Sequence, residues 1–488
     1  MNDTTVSAAK HEHRGAAGSA GPAPKSSWRD MREFLTFLER RGDLLRISET
    51  VDPAWEINGL TRLGLQAHGP AILFEKIDGG DFPLVTGVLA ADRRFLWALG
   101  LEEWSEFNEE WCRRTERPVP PVMVEAAPCQ EVVLEGDRID LNHICNVTWH
   151  EHDGGPFPGT LSVSITRDPD TGVLNAGIYR MGTLEPRMTG WGAPEYGRQH
   201  YMKYEARGEP MPMAVVTGYD PSILICASCR TPPGIDEFQI AGGLRGEPLE
   251  MVRCRTIDLP VPAHAEMVWE GYVAPGERRI EGGFGEYTGF YGEARSNPVF
   301  RIEAVTHRAG AIYLGTREQW YPSESALTVG KPSQAEAFKT LRAIVPGILD
   351  LRCDVSYEAI VKIDKLFPGH PQQVIDAVWG ATYARYKHVI VVDKDIDIWN
   401  YDQVHWALST RVSADRDVNV LPRRAGQWLD PAVPLREKGW QSGLGIDATL
   451  PTEEYAFWKE EPPLTVDDPE VVDRARSKWK GRLPHGIC

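Results

Sequence analysis

Glu281 and Glu286 lie five residues apart in Glu281-Gly282-Gly283-Phe284-Gly285-Glu286, which continues as Tyr287-Thr288-Gly289-Phe290-Tyr291. Carboxylates at this spacing do not share a helix face, where neighbours are three or four apart. Glycines at 282, 283 and 285 argue for a loop whose backbone comes close to another group. Such a pair is equipped for general acid and base chemistry if the loop is buried. The plain alternative is a hairpin turn carrying two solvated glutamates.

Other residues have suitable chemistry at a distance in sequence. Arg180 ends the run Asn175-Ala176-Gly177-Ile178-Tyr179-Arg180, and its planar fork suits a carboxylate or phosphate. Asn175, His200 and Glu237 together would form a mixed oxygen and nitrogen site suited to Mn or Mg. Their spacing alone is not a metal signature. His150-Glu151-His152, with His143 and Asp153 nearby, permits a zinc reading but lacks the i, i+4 helical spacing of metalloproteases. Cys226 and Cys229 form a C-x-x-C with no second pair for a zinc ribbon, so buried thiols at a strand end are expected. Asp393, Asp395 and Asp397 mimic the start of a calcium loop, but Ile398 and Val404 stand where Gly and Glu are needed.

The elements that must position these residues follow from composition and periodicity. A chain of 488 residues is too long for one core. Its net charge of −17 argues against nucleic acid and against a polybasic membrane patch. Residues 1–27 are rich in Ala, Gly, Ser and Pro without an apolar core, and read as a disordered tail and not a secretory signal. No stretch has the length of a membrane span. A cytoplasmic, reducing location is expected.

Residues 28–120 alternate helix and strand periods and read as a small α/β domain. Ser27 is the expected cap of its first helix and Gly42 the stop. Residues 121–325 carry short strands at 161–166, 176–179, 214–217, 223–226 and 311–314, punctuated by turns such as Asp168-Pro169-Asp170-Thr171-Gly172. A barrel or sandwich is the expectation there. A linking helix falls within 326–350, read by period over 331–345. A second α/β domain spans 351–460, with strands at 359–363 and 389–392 and a helix at 372–385. Asn400 or Asp402 caps a further helix. A polar tail, 461–488, holds one amphipathic helix. The fold class is therefore α+β.

Several motifs in this order resemble the UbiD family of reversible decarboxylases, which use prenylated FMN. They are the Asn175–Arg180 run after the Asp168–Gly172 turn, and Asp236-Glu237-Phe238-Gln239-Ile240-Ala241-Gly242-Gly243-Leu244-Arg245-Gly246. Val261-Pro262-Ala263-His264-Ala265-Glu266 and the loop 281–291 follow. Val389-Ile390-Val391-Val392-Asp393-Lys394-Asp395 and Gly445-Ile446-Asp447-Ala448-Thr449 complete the set. The resemblance covers roughly residues 28–455.

It implies a flavin-reductase-like split β-barrel at the centre and an oligomerising C-terminal α/β domain. It implies Arg180, Glu281 and Glu286 as the catalytic set. Asn175, His200 and Glu237 would hold Mn2+ or Mg2+, bridging to the flavin phosphate, with K+ nearby. Gly177, Ile178, Tyr179, Arg180, Gln199 and Ser228 would join those ligands around the cofactor. The implied partners are an aromatic or heteroaromatic carboxylic acid, CO2, further copies of the chain as dimer or hexamer, and a flavin prenyltransferase that makes the cofactor. One departure is visible. Many members carry Ser-Lys-Met before Gly-Ile-Asp-Ala-Thr, whereas this chain has Ser442-Gly443-Leu444, leaving Lys438 as the candidate replacement. A metal-dependent hydrolase built on His150 and His152, and a flavin-binding module without catalysis, are the competing readings.

Overall fold

The computed structural model describes residues 23–192, 195–232, 234–354, 357–382, 385–434, 437–450 and 469–479. The site depends on a central antiparallel sheet of eight strands. Its order runs Leu174–Ile178, Val163–Arg167, Met211–Thr217, Met267–Glu281, Arg295–His307, Met188–Gly190, Thr183–Glu185, with Val132–Glu135 also pairing on Arg295–His307. The two end strands of this path do not pair with each other among the described residues.

Period-2 alternation makes this sheet a double-sided wall. Ala214, Val216 and Val268 enter the core shared with Phe34, Leu38 and Phe95 of the N-terminal helices. Met213, Val215, Met267 and Trp269 face a second core with Trp149, Tyr313 and Phe284. Burying both faces keeps the sheet rigid, which suits a site built at its strand ends.

The N-terminal sheet pairs Leu44–Val51, Ala71–Ile77 and Leu84–Thr86, then takes a fourth strand, Tyr313–Leu314, from far along the chain. That strand and the helix Glu324–Ile344 stitch the successive units together. Helix Met31–Arg40 is capped by Asp30, whose side chain accepts from Glu33 N, and not by Ser27. Gly42 ends it with φ +71°. Residues 25–27 already make contacts: Lys25 pairs with Glu33 at 2.7 Å and Ser26 Oγ donates to the Arg245 carbonyl at 3.4 Å. Most of the expected 1–27 tail lies outside the described residues.

Two further expectations need correction. The apolar run 223–226 is not a strand but the helix Pro221–Cys226. Asp220 accepts from Ser222 N and Pro221 occupies the first turn, so local capping overrides the β-like composition. The linking helix is longer than its period suggests, Glu324–Ile344, with Ser323 as N-cap. Pro332 lies inside it and masks its first half in the sequence.

The last sheet has the order Ile348–Arg352, Glu358–Ile363, His388–Asp393, Trp440–Ala448, Val418–Ala425, with its three middle strands parallel. Helices His370–Ala381 and Tyr401–Arg411 connect them, the latter capped by Asn400. Such crossovers require buried, β-branched strands, which Val389, Val391 and Val392 supply. The amphipathic helix of the tail is Pro469–Trp479. No helix among the described residues is long and apolar enough to cross a membrane.

Candidate active site

Glu281 is the last residue of the long strand Met267–Glu281, and Glu286 lies just beyond Phe284–Gly285, which pairs with Tyr291–Gly292. Glu286 N donates to the Phe290 carbonyl at 2.9 Å and Gly289 N to the Glu286 carbonyl at 2.9 Å. The stretch is therefore a hairpin, as its glycines suggested, but its glutamates are not solvated. Glu281 is 1% exposed. The loop packs so closely on a neighbouring turn that a Cβ on Gly282 would sit 2.5 Å from Gly154 Cα. Gly154 N donates to the Gly283 carbonyl at 2.9 Å.

Arg180, at the exit of Leu174–Ile178, reaches both carboxylates. Its Nη1 donates to Glu286 Oε1 in a short contact, and its Nε lies 3.8 Å from Glu281 Oε2. Gly182 N and Asn297 Nδ2 each donate to Glu281 at 2.7 Å. Burial pushes the Glu281 carboxyl up, opposed by Gly182, Arg180 and Asn297. Burial also pushes Glu286 up, opposed by Arg180, Arg295 and His150. Glu281 thus accepts two N–H hydrogen bonds beside the Arg180 charge, whereas the side chain of Glu286 accepts from Arg180 alone among the described residues. That asymmetry separates an anchored carboxylate from one able to carry a proton.

Asn175, His200 and Glu237 also converge. Thr166 and Asn175 are register partners across two strands. His200, on helix Glu195–Arg207, places Nδ1 2.9 Å from Thr166 Oγ1. Glu237, first residue of helix Glu237–Arg245, accepts from Ala176 N at 2.8 Å. Asn175 Nδ2 donates to the Tyr179 hydroxyl at 3.1 Å, leaving its carbonyl oxygen for another partner. Burial raises the Glu237 carboxyl to about 8, with Ala176 N–H opposing and no cation among the causes. An amide oxygen, an imidazole nitrogen and a buried carboxylate lacking a cation suit a hard divalent metal.

The remaining expected contacts are scattered around this end. Gly177 is buried in the strand, where a side chain would collide with Tyr179. Tyr179 is buried edge-on to Trp191, Ile178 and Ser228 are half-buried, and Gln199 is exposed on its helix. Lys438 donates to the Asp430 carbonyl at 2.6 Å. The thiols of Cys226 and Cys229 are buried, as expected, though at a helix end and not a strand end.

His150 does not serve a zinc site. Its Nδ1 faces Asp153 Oδ2 at 3.2 Å and its Nε2 the Glu318 carbonyl at 2.5 Å, so both nitrogens are committed. His152 is exposed. Among the described residues no group of three or more His, Cys, Asp or Glu side chains is arranged to hold a metal. Asp153 also accepts from Gly285 N at 2.9 Å, so this pair holds the hairpin in place. Asn297 was invisible as a site residue in the sequence, and Asp153 was noticed only beside the His-x-His run. The His-x-His run drew attention to His150 for the wrong chemistry.

Three family models match in register with this architecture. They are the N-terminal domain of 3-octaprenyl-4-hydroxybenzoate carboxy-lyase over residues 35–119, its Rift-related domain over 122–318 and its C-terminal domain over 327–448. The chain belongs to the UbiD family. Among UbiD-class structures, HmfF from Pelotomaculum thermopropionicum in complex with FMN is 34% identical, with a TM-score of 0.83 over 91% of this chain and 99% of that one. Vanillic acid decarboxylase from Sedimentibacter hydroxybenzoicus, in its closed form, is 30% identical with a TM-score of 0.84, covering 93% and 99%. An uncharacterized protein of Archaeoglobus fulgidus is 34% identical over 480 residues, 93% of this chain and 98% of that one. Membership in the UbiD family makes the protein a carboxy-lyase.

Proposed function

We propose that the protein catalyses reversible, non-oxidative decarboxylation of an aromatic or heteroaromatic carboxylic acid, with prenylated FMN as cofactor and Glu286 as proton donor. The observation that carries this reading is the cluster of half-buried Arg180 and Glu286 around buried Glu281 at the mouth of the central sheet. Similarity to HmfF, whose structures include a complex with FMN and an evolved dimeric form in complex with prFMN, and to vanillic acid decarboxylase supports it.

Removing CO2 from an sp2 carbon leaves electrons that no side chain can delocalise, and prenylated FMN supplies that electron sink when bound. Asn175, His200 and Glu237 would hold Mn2+ or Mg2+, which would offset the charge of the flavin phosphate, with K+ as a further cation. Gly177, Ile178, Tyr179, Gln199 and Ser228 would complete the cradle. Arg180 fixes Glu281 and Glu286 relative to the substrate carboxylate. Glu286 delivers the proton that replaces CO2, and takes it back in the reverse direction. Glu281, held by Gly182 and Asn297, keeps its orientation.

The chain is proposed to assemble as a dimer or hexamer and to depend on a flavin prenyltransferase for its cofactor. Free, mostly buried cysteines suit a cytoplasmic setting. A flavin-binding module without catalysis would have no use for three ionisable groups held in one cluster. The test is turnover of a carboxylic acid panel, beginning with vanillic and 3,4-dihydroxybenzoic acids, by protein co-expressed with a prenyltransferase. No turnover of any acid by flavin-loaded protein would overturn the reading.

A further inference from the structure

A further carboxyl stands behind the catalytic hairpin. Glu318 lies between the strand Tyr313–Leu314 and the helix Glu324–Ile344, and is 6% exposed. Its segment packs directly on the catalytic hairpin. The Glu318 carbonyl takes the His150 Nε2–H, and the other edge of that ring is pressed against Gly285, where a Cβ would lie 2.6 Å from it. Trp320 lies over Gly289 in the same hairpin.

The Glu318 side chain is poorly served. Ser325 Oγ donates to Oε1, whereas Oε2 is buried and has no hydrogen-bond partner among the described residues. The groups facing it are mostly acidic. Repulsion from the Glu286 and Glu324 carboxylates acts on it through space, and Glu324 takes the N–H groups of Gly87 and Leu89 at 3.1 Å. Arg317, next in the chain, is spent on Asn58 and Gln319. His150 meets only the Glu318 carbonyl.

A carboxylate with one buried, unpaired oxygen and no cation is costly, and the neutral acid removes most of that cost. Burial raises Glu318 to about 8, with Ser325 opposing and the Glu286 and Glu324 carboxylates adding. Glu281 and Glu286 instead share Arg180. The proton of the cluster therefore rests on Glu318, while Glu286 is the group placed to use one.

We infer that Glu318 is the proton store of the site, resupplying Glu286 after each proton is given to product carbon. The inference rests on the decarboxylase reading. In the resupply step the O–H bond of Glu318 breaks and an O–H bond forms on the Glu286 carboxylate. Glu318 is left as a carboxylate and regains its proton from solvent. Glu318 acts through Glu286 and need not touch substrate.

The experiment has two arms. Flavin-loaded wild type, E318Q and S325A are compared in decarboxylation across about pH 6–9. Wild-type turnover should fall on a single ionisation as pH rises through about 8. E318Q should retain flavin, lose about tenfold or more in turnover, and lack that limb. S325A, which removes a hydrogen bond favouring the ionised form, should move the limb to higher pH, and carries the test if E318Q does not fold. In the second arm, infrared difference spectra of protein without substrate should show a protonated carboxyl band in wild type that E318Q lacks. Wild-type rate with an unchanged alkaline limb in E318Q, or an unmoved limb in S325A, would overturn the inference. A wild type that turns over no acid would instead refute the decarboxylase reading, and the infrared arm would still decide whether Glu318 holds a proton.

Discussion

At the scale of single residues the protein works by unequal support of similar groups. Glu281 and Glu286 are both glutamates near Arg180, the first buried and the second half-buried. Glu281 is gripped by a backbone N–H and an asparagine amide, whereas Glu286 depends on the guanidinium. Glu286→Gln keeps the shape and loses the transferable proton. Turnover should fall about a hundredfold or more, the scale of lost general acid catalysis, with flavin content unchanged. Steady-state assay beside the absorption spectrum checks this, and wild-type rates at full flavin content would remove the hairpin from the chemistry. Deuterium uptake at the vacated carbon should fall in step. Arg180→Ala should abolish turnover as well, since Glu281 and Glu286 then lose the guanidinium they share.

At the scale of elements, strand ends and helix starts set the cofactor end of the site. Glu237 begins a helix, and Asp236 caps that helix by accepting from Gln239 N. Glu237→Ala should leave the fold intact but strip both metal and flavin, read by elemental analysis and visible absorbance after gel filtration. Stoichiometric zinc with no Mn or Mg in the wild type would contradict this assignment.

The helix Glu324–Ile344 carries a different load. Lys331, 2% exposed, sits 4.4 Å from the Trp104 ring and 5.2 Å from Trp399, and pairs with Asp354 at 2.7 Å. Burial opposes the Asp354 charge, but Lys331 and Arg352 overcome it and hold its pKa at about 2. A depressed carboxylate contributes stability above its unfolded value of 3.8 and loses it as pH falls toward about 2. Lys331→Met unpairs part of this network and should cost about 3 kcal/mol, near the low end for breaking a buried pair, because Arg352 remains. Thermal melts should show the loss at pH about 7 and a smaller one in acid, where Asp354 is neutral in both proteins.

At the scale of the whole molecule, the C-terminal sheet ends on an exposed edge. Val418–Ala425 is the outer strand, with Val420 62% exposed and Leu421 41% exposed, and Trp440 on the paired strand is 51% exposed. An apolar edge of this kind invites association and is a hazard in a monomer. Light scattering at micromolar concentration should therefore give a dimer or a larger multiple. V420E combined with L421E should shift the mass toward monomer, and a wild type that is monomeric throughout would refute the expectation.

The sequence by itself determined the family, the order of the elements and which residue types could do the chemistry. Those follow from local signals: glycines at a turn, β-branched runs such as 389–392, capping at Asn400, and co-ordered motifs carrying Arg180, Glu281, Glu286, Asn175 and Glu237. Only the tertiary structure decided what those residues experience. Burial is set by what packs from elsewhere, so nothing near Glu281 announces Asn297, and nothing near Glu286 announces Asp153 or Glu318. The helix at Pro221–Cys226 was hidden because a short buried run has the same composition as a strand. The start of Glu324–Ile344 was hidden because Pro332 breaks the local pattern while long-range packing keeps the helix. Protonation was the least legible of all, because a carboxyl's charge is decided by the water it loses and the cations it meets, and both are properties of the folded chain.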